Sequence, residues 1–226
     1  MPSLESALAE FGLGQGLNDF FGGASLASPE GWISAEVFSI FAPGAVVALA
    51  LIDGGRSIAA EEEDRLVGLL ASNPIGRAMM LSHKSIAIVI HVAIASFLIG
   101  LFTWGGVAVF SIDMPAANVW AATIHLVFLG IMFTGAIALV TAATGKRMRS
   151  IVITGTIAAV SYIVASLLPV SPDLAGWAKI SPWFYYWGDN PLVRGVNWVY
   201  IGVMASIAGG LFAAAGYVFT RRDLPG

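Results

Sequence analysis

Cysteine is absent from the 226-residue chain, which excludes disulfides, a thiol nucleophile and cysteine-based metal sites. Charge is scarce. Asp, Glu, Lys and Arg make up 11% of the residues, where a soluble domain carries about 25%. A net charge of −3 is weak and gives no argument for nucleic acid as a partner. Residues 1–32 carry Glu5, Glu10, Asp19 and Glu30 but no Lys or Arg. The start therefore lacks the basic and apolar regions of a signal peptide, and insertion is expected to rely on internal segments. What remains is apolar: 58% of residues are hydrophobic and the mean hydropathy is +0.83. Such a chain belongs in a bilayer.

Five apolar runs lie near the ~20 residues that span a bilayer: Ile33–Ile52, Ser85–Phe110, Val119–Thr144, Ile151–Pro169 and Val196–Thr220. The first carries Glu36 at its entrance and Pro43 inside. The expected fold is all-α, a polytopic bundle of five transmembrane helices. Before it, Leu4, Leu8 and Phe11 at helical spacing suit a short amphipathic helix on the membrane surface, interrupted by glycines. The alternative there is a frayed terminus. The division expected is an external segment, 1–32, and a membrane domain, 33–224, with polar loops at 54–84 and 170–195.

Basic residues set the orientation, because they concentrate on the cytoplasmic side. Arg56, Arg65, Arg77 and Lys84 follow the first run, Lys146, Arg147 and Arg149 the third, and Arg221 and Arg222 the fifth. The other side has only Lys179 and Arg194. The N-terminus is thus expected outside and the C-terminus in the cytosol, in a multi-pass protein of the cell membrane. Trp104, Trp120, Trp177, Trp183, Trp187 and Trp198 fall near the outer ends of runs or in the outer loop, as an interfacial aromatic belt does. In the last run Ala205 with Gly209, and Gly210 with Ala214, have the four-residue spacing that lets helices approach closely. That spacing serves packing within the bundle or against another subunit.

The cytosolic loop is the long polar interruption. Glu61, Glu62, Glu63 and Asp64 would occupy the first turn of a helix, where negative charge is favoured. Leu66, Leu69 and Leu70 then form a narrow apolar stripe, and Asn73-Pro74 ends it. A solvated connector is the alternative, but a connector needs no leucine stripe. A short helix of this kind fits a groove on a cytosolic partner.

His91 and His125 lie inside the second and third runs and are the candidates for an intramembrane polar site. Their other reading is an interhelical hydrogen bond. Without carboxylates at ligand spacing they make no metal site, and HVAIA and HLVFL do not match HExxH. His83 beside Lys84 reads as interfacial, and Asp53 with Arg56 as a helix-end charge. Threonines and serines in the third and fourth runs, among them Thr123, Thr134 and Ser161, offer backbone or interhelical bonds. No nucleotide motif is present. Gly145-Lys146 precedes Arg147 rather than Ser or Thr, and GLGQG is followed by Leu17 where G-x-G-x-x-G needs its third glycine.

The stretch IAAEEEDRLVGLLASNPIGRAMMLSHK resembles the first cytosolic loop of permease subunits of type-2 ATP-binding-cassette (ABC) exporters. The matching positions are Ala59-Ala60, Glu61, Glu62 and Glu63, Leu69-Leu70, Ser72-Asn73-Pro74, Gly76-Arg77 and Lys84. Asp64-Arg65-Leu66-Val67-Gly68 departs from the family's Gly-Thr-Leu-Glu. SPWFYYWGDNPLVRGVNW, an apolar run and Arg221-Arg222-Asp223-Leu224 are similar to the end of bacterial members, where an aromatic loop folds into the outer leaflet.

The resemblance implies a non-catalytic transport subunit. Glu61–Glu63, Arg65, Leu66, Leu69, Leu70, Pro74 and Arg77 would form a coupling helix docked on a separate cytosolic ATPase. That ATPase would use ATP and magnesium, with no cofactor in this chain. A second permease subunit, identical or not, would face this one. Family members have a further span before the one equivalent to Ile33–Ile52, so another membrane chain supplying it, a late start or a reduced variant is expected. The sparse charge of the spans favours a hydrophobic or amphipathic cargo. The rival readings are an intramembrane enzyme using His91 or His125, and a non-transporting anchor for a cytosolic partner.

Overall fold

A computed structural model describes residues 29–56, 77–170 and 173–221. Among these residues there is no strand. The chain enters as α1 (Pro29–Ile33), continues as an eight-residue π-helix (Ser34–Phe41) and resumes as α2 (Ala42–Gly54). Three long helices follow: α3 (Arg77–Val109), α4 (Ala116–Thr144) and α5 (Arg147–Leu167). Two 3-10 turns (Leu168–Val170 and Ala175–Ile180) and two short helices, α6 (Pro182–Trp187) and α7 (Pro191–Arg194), lead to α8 (Trp198–Arg221). Five of these segments are long and apolar enough to cross a membrane: Gly31–Gly54, Leu81–Val109, Ala116–Thr144, Arg147–Leu167 and Trp198–Arg221. They match the five apolar runs of the sequence to within a few residues.

The ends of the long helices follow local chemistry. Gly145 closes α4 in the left-handed conformation (φ 61°), and its N–H donates to the Thr141 carbonyl at 2.9 Å. Glycine takes that conformation without a Cβ penalty. Ser150 then donates to the Lys146 carbonyl at 2.9 Å and shares a 2.8 Å bond with Thr144, so α5 turns back at once. At the far end of α4 the turn from α3 passes through Ser111 (φ 50°), with the Ile112 N–H on the Val107 carbonyl.

α4 is the post around which the others stand, and it is the most buried of the five spans. Its small residues set the register. A Cβ on Gly130 would overlap Val92 of α3 and come within 2.6 Å of Val46 of α2. Gly100 of α3 leaves room for Thr123, Gly54 of α2 for Ile137, and Gly135 of α4 for Leu211 of α8. These contacts fix direction as well as distance. Val46 then Gly54 meet Gly130 then Ile137, so α2 runs parallel to α4. Val92 then Gly100 meet Gly130 then Thr123, so α3 runs antiparallel. Packing this close is what holds helices together where lipid removes the hydrophobic drive between them.

The small-residue pairs of the last span do something else. Ala205, Gly209 and Gly210 are exposed, and a Cβ on Gly209 or Gly210 would meet nothing within 4 Å. The inward face of α8 is instead Ile201, Met204, Ala208, Ala215 and Phe219. Of the two uses the sequence left open for this spacing, packing within the bundle belongs to Gly54, Gly100, Gly130 and Gly135.

Gly130→Val is expected to cost about 1–3 kcal/mol, the range for overpacking a tight core. Gly209→Val is expected to stay within about 0.5 kcal/mol. Melting of the two purified variants in mild detergent checks this; equal losses would contradict the register given to α4.

Candidate functional site

The described residues do not include 57–76. The coupling-helix residues Glu61, Glu62, Glu63, Arg65, Leu66, Leu69, Leu70 and Pro74 therefore lie outside them, and Arg77 opens α3. The stems on either side are defined. Gly54, at the end of α2, packs on Ile137 of α4. Leu81, one turn into α3, clusters with Ala138, Ala142 and Phe219. Asp53, at the end of α2, bonds His91 of α3 (Oδ2 to Nδ1, 3.1 Å). The helix-end charge and the span histidine, read separately in the sequence, are thus one pair. His91 does not face the bundle interior, because its side chain is 62% exposed.

His125 is buried on α4 and serves a different purpose. Its Nδ1 lies 3.3 Å from the Tyr185 carbonyl and 3.2 Å from that of Tyr186. Its Nε2 lies 3.2 Å from the Asn197 backbone N–H. Two carbonyls and one donor fix the tautomer: Nδ1 carries the proton and Nε2 accepts. A neutral imidazole thus satisfies three backbone groups where no water competes. The two histidines serve different elements: His91 bonds α2, and His125 bonds the segment that leads from α5 to α8.

The two carbonyls belong to an aromatic hairpin, α6 and α7, that enters the bundle, and the N–H to the residue before α8. Proline at the start of α6 costs no hydrogen bond, and Ser181 caps it by accepting the Trp183 N–H at 3.2 Å. The Ser181 hydroxyl donates onward to the Ser161 carbonyl of α5 at 2.7 Å. The Trp183 indole N–H points at the Ala158 carbonyl (3.1 Å) and the Ser161 hydroxyl (3.0 Å). Trp183 is 8% exposed and packs against Phe133, Tyr162 and Tyr186. It is therefore a core anchor and not part of an aromatic belt, since its ring and its N–H are both used inside the bundle. Trp187 is half-buried and stacks on Phe38 (6.0 Å, 6°). Trp32, Trp104, Trp177 and Trp198 remain exposed.

A second polar knot closes the hairpin. The Asn197 side-chain oxygen, Oδ1, accepts the N–H groups of Val199 and Tyr200, both at 3.1 Å, which caps α8. Its amide nitrogen donates to Asp189, whose other oxygen lies 3.5 Å from Arg194. One asparagine thus starts the last span and ties it to His125 and to Asp189. The Tyr186 hydroxyl is fully buried and donates to the Phe38 carbonyl at 2.8 Å. Burial pushes this phenol well above its usual range, so it stays a donor. Beside the hairpin, α5 and Ile180 form an open apolar groove of about 350 Å³, lined by Thr156, Ile157, Val160, Ser161, Val164 and Ser181.

Sequence reasoning missed Asp189, Asn197 and Tyr186. Asn197 was legible as a helix cap immediately before an apolar run. Nothing local marks Tyr186, whose partner lies 148 positions away. Among the described residues no group of three or more His, Asp or Glu could hold a metal ion.

Composition and fold together are those of a helical membrane protein, with five segments long and apolar enough to cross a bilayer among the described residues. No protein-family model matches the chain, and no curated protein does either.

His125→Ala strands two carbonyls and an N–H in an apolar core and is expected to cost about 2–4 kcal/mol. His91→Ala, at an exposed pair, is expected to cost less than about 1 kcal/mol. Melting temperatures of the two variants in the same detergent check the order; the reverse order would contradict the role given to His125.

Proposed function

We propose that this chain is the membrane-spanning subunit of an ABC-type exporter, one that couples ATP hydrolysis by a separate ATPase subunit to efflux. The observation that carries the reading is the loop between α2 and α3. Its residues from Ala59 to Lys84 follow the order of a coupling loop, including Glu61–Glu63, Leu69-Leu70 and Gly76-Arg77. Its stems support the same reading. α2 packs on Ile137 through Gly54, α3 packs on Ala142 through Leu81, and the Asp53–His91 bond ties the two helices together. A partner pressing on the loop would act on α2 and α3 as one unit, and both pack on Gly130.

The basic residues Arg56, Lys84, Lys146, Arg147, Arg149 and Arg221 support a cytosolic location for this end of the bundle, in the cell membrane. The N-terminal end of the first span is then outside. A second permease subunit completes the transport path, and the exposed face of α8 is free to receive it. The path would switch between two forms that the ATPase contacts differently. A hydrophobic or amphipathic cargo suits spans with so few charges.

Leu69→Glu puts a charge on the docking stripe and is expected to reduce co-purification of the ATPase at least tenfold with the melting temperature unchanged. Quantitative pull-down from membranes in mild detergent measures this. An assembly that survives Leu69→Glu would rule out docking through this stripe.

A further inference from the structure

The first span is broken at a defined place. Between Ser34 and Phe41 the helix is bonded i to i+5, and the Ala42 N–H goes to the Val37 carbonyl. In that register the next carbonyl, Phe38, would receive the N–H of residue 43. Residue 43 is proline and has none. The Ala42 N–H, which an α-helical register would have sent to Phe38, is already used. The Phe38 carbonyl is thus left without a helical donor at a residue with no solvent exposure, where an unpaired carbonyl is costly.

The bond comes from outside the span. Tyr186 of the hairpin places its hydroxyl 2.8 Å from that carbonyl, and Trp187 stacks on the Phe38 ring. Tyr186 is itself held through its own carbonyl by His125 of α4. A chain of direct contacts therefore runs from the central helix through the hairpin to the break in the first span.

We propose that Pro43 and Tyr186 form a latch. Pro43 makes Ser34–Phe41 a hinged segment, and the Tyr186 hydroxyl holds it in place by completing the bond that proline removed. With the latch closed, the segment is registered on the hairpin. With it open, the segment swings about the start of α2, because a π-helix ending at proline has fewer bonds to keep it in line. The inference stands on this geometry and does not depend on the transport reading.

The paired substitutions Tyr186→Phe and Pro43→Ala test it, because each acts on the same carbonyl in the opposite sense. Phenylalanine keeps the ring and loses the donor. Alanine restores an N–H. Hydrogen exchange of the full chain in mild detergent reads the amides of 34–42 against those of α3 and α4. Tyr186→Phe is expected to speed exchange in 34–42 roughly fivefold, the scale of one lost hydrogen bond, and to leave α3 and α4 unchanged. Adding Pro43→Ala is expected to bring exchange in 34–42 back to within about twofold of the original. Unchanged exchange in Tyr186→Phe would overturn the latch, as would a rise spread over all helices or a double variant that does not recover. Should Tyr186→Phe alone fail to fold, the double variant decides. Its recovery as folded protein with 34–42 protected supports the latch, and its failure overturns it.

Discussion

A backbone carbonyl in an apolar bundle has to find a donor, and most of this structure follows from how that need is met. Helices meet it for themselves. The hairpin of α6 and α7 does not, because its turns leave carbonyls without helical donors inside the bundle. His125 answers for two of them and takes the Asn197 N–H on its other nitrogen. Ser161 and Ala158 answer for Trp183 and Ser181 from the α5 side. Irregular backbone is tolerated inside the bundle here because neighbouring side chains supply its bonds.

α4 organises this arrangement through size as much as through polarity. Gly130 and Gly135 let α2, α3 and α8 come close, and His125 lies between them and the hairpin. The first span then meets α4 both directly and through the hairpin. Val46 touches it directly at Gly130, and Phe38 reaches it through Tyr186 and His125. A displacement of α2 at its lower end, where Asp53 holds His91, is therefore linked by packed contacts to the hairpin at the other end. That linkage is what an energy-coupled membrane subunit would require of its fold.

The spans were legible in the sequence because length and hydropathy are local properties. So was the tight turn at Gly145. The polar pairs were not. Asp53 and His91 are 38 positions apart, and only the close approach of α2 and α3 brings them together. Trp183 resembles an interfacial tryptophan by composition, and only its place between Phe133 and Tyr162 makes it a core residue. The small residues of α8 had the right spacing for helix packing, yet spacing does not say which face turns inward. Bundle packing instead used glycines on other helices, such as Gly54, Gly100 and Gly130, each set against branched side chains of a neighbouring helix.

The functional account turns on whether energy reaches this chain from a partner. Purification of the native protein in mild detergent, with an assay of ATP hydrolysis on what accompanies it, tests that most directly. The account predicts a soluble nucleotide-binding subunit in near-stoichiometric amount, with a hydrolysis rate that changes when this chain is removed. A homogeneous preparation of this chain with no associated ATPase, or an ATPase indifferent to its removal, would contradict it.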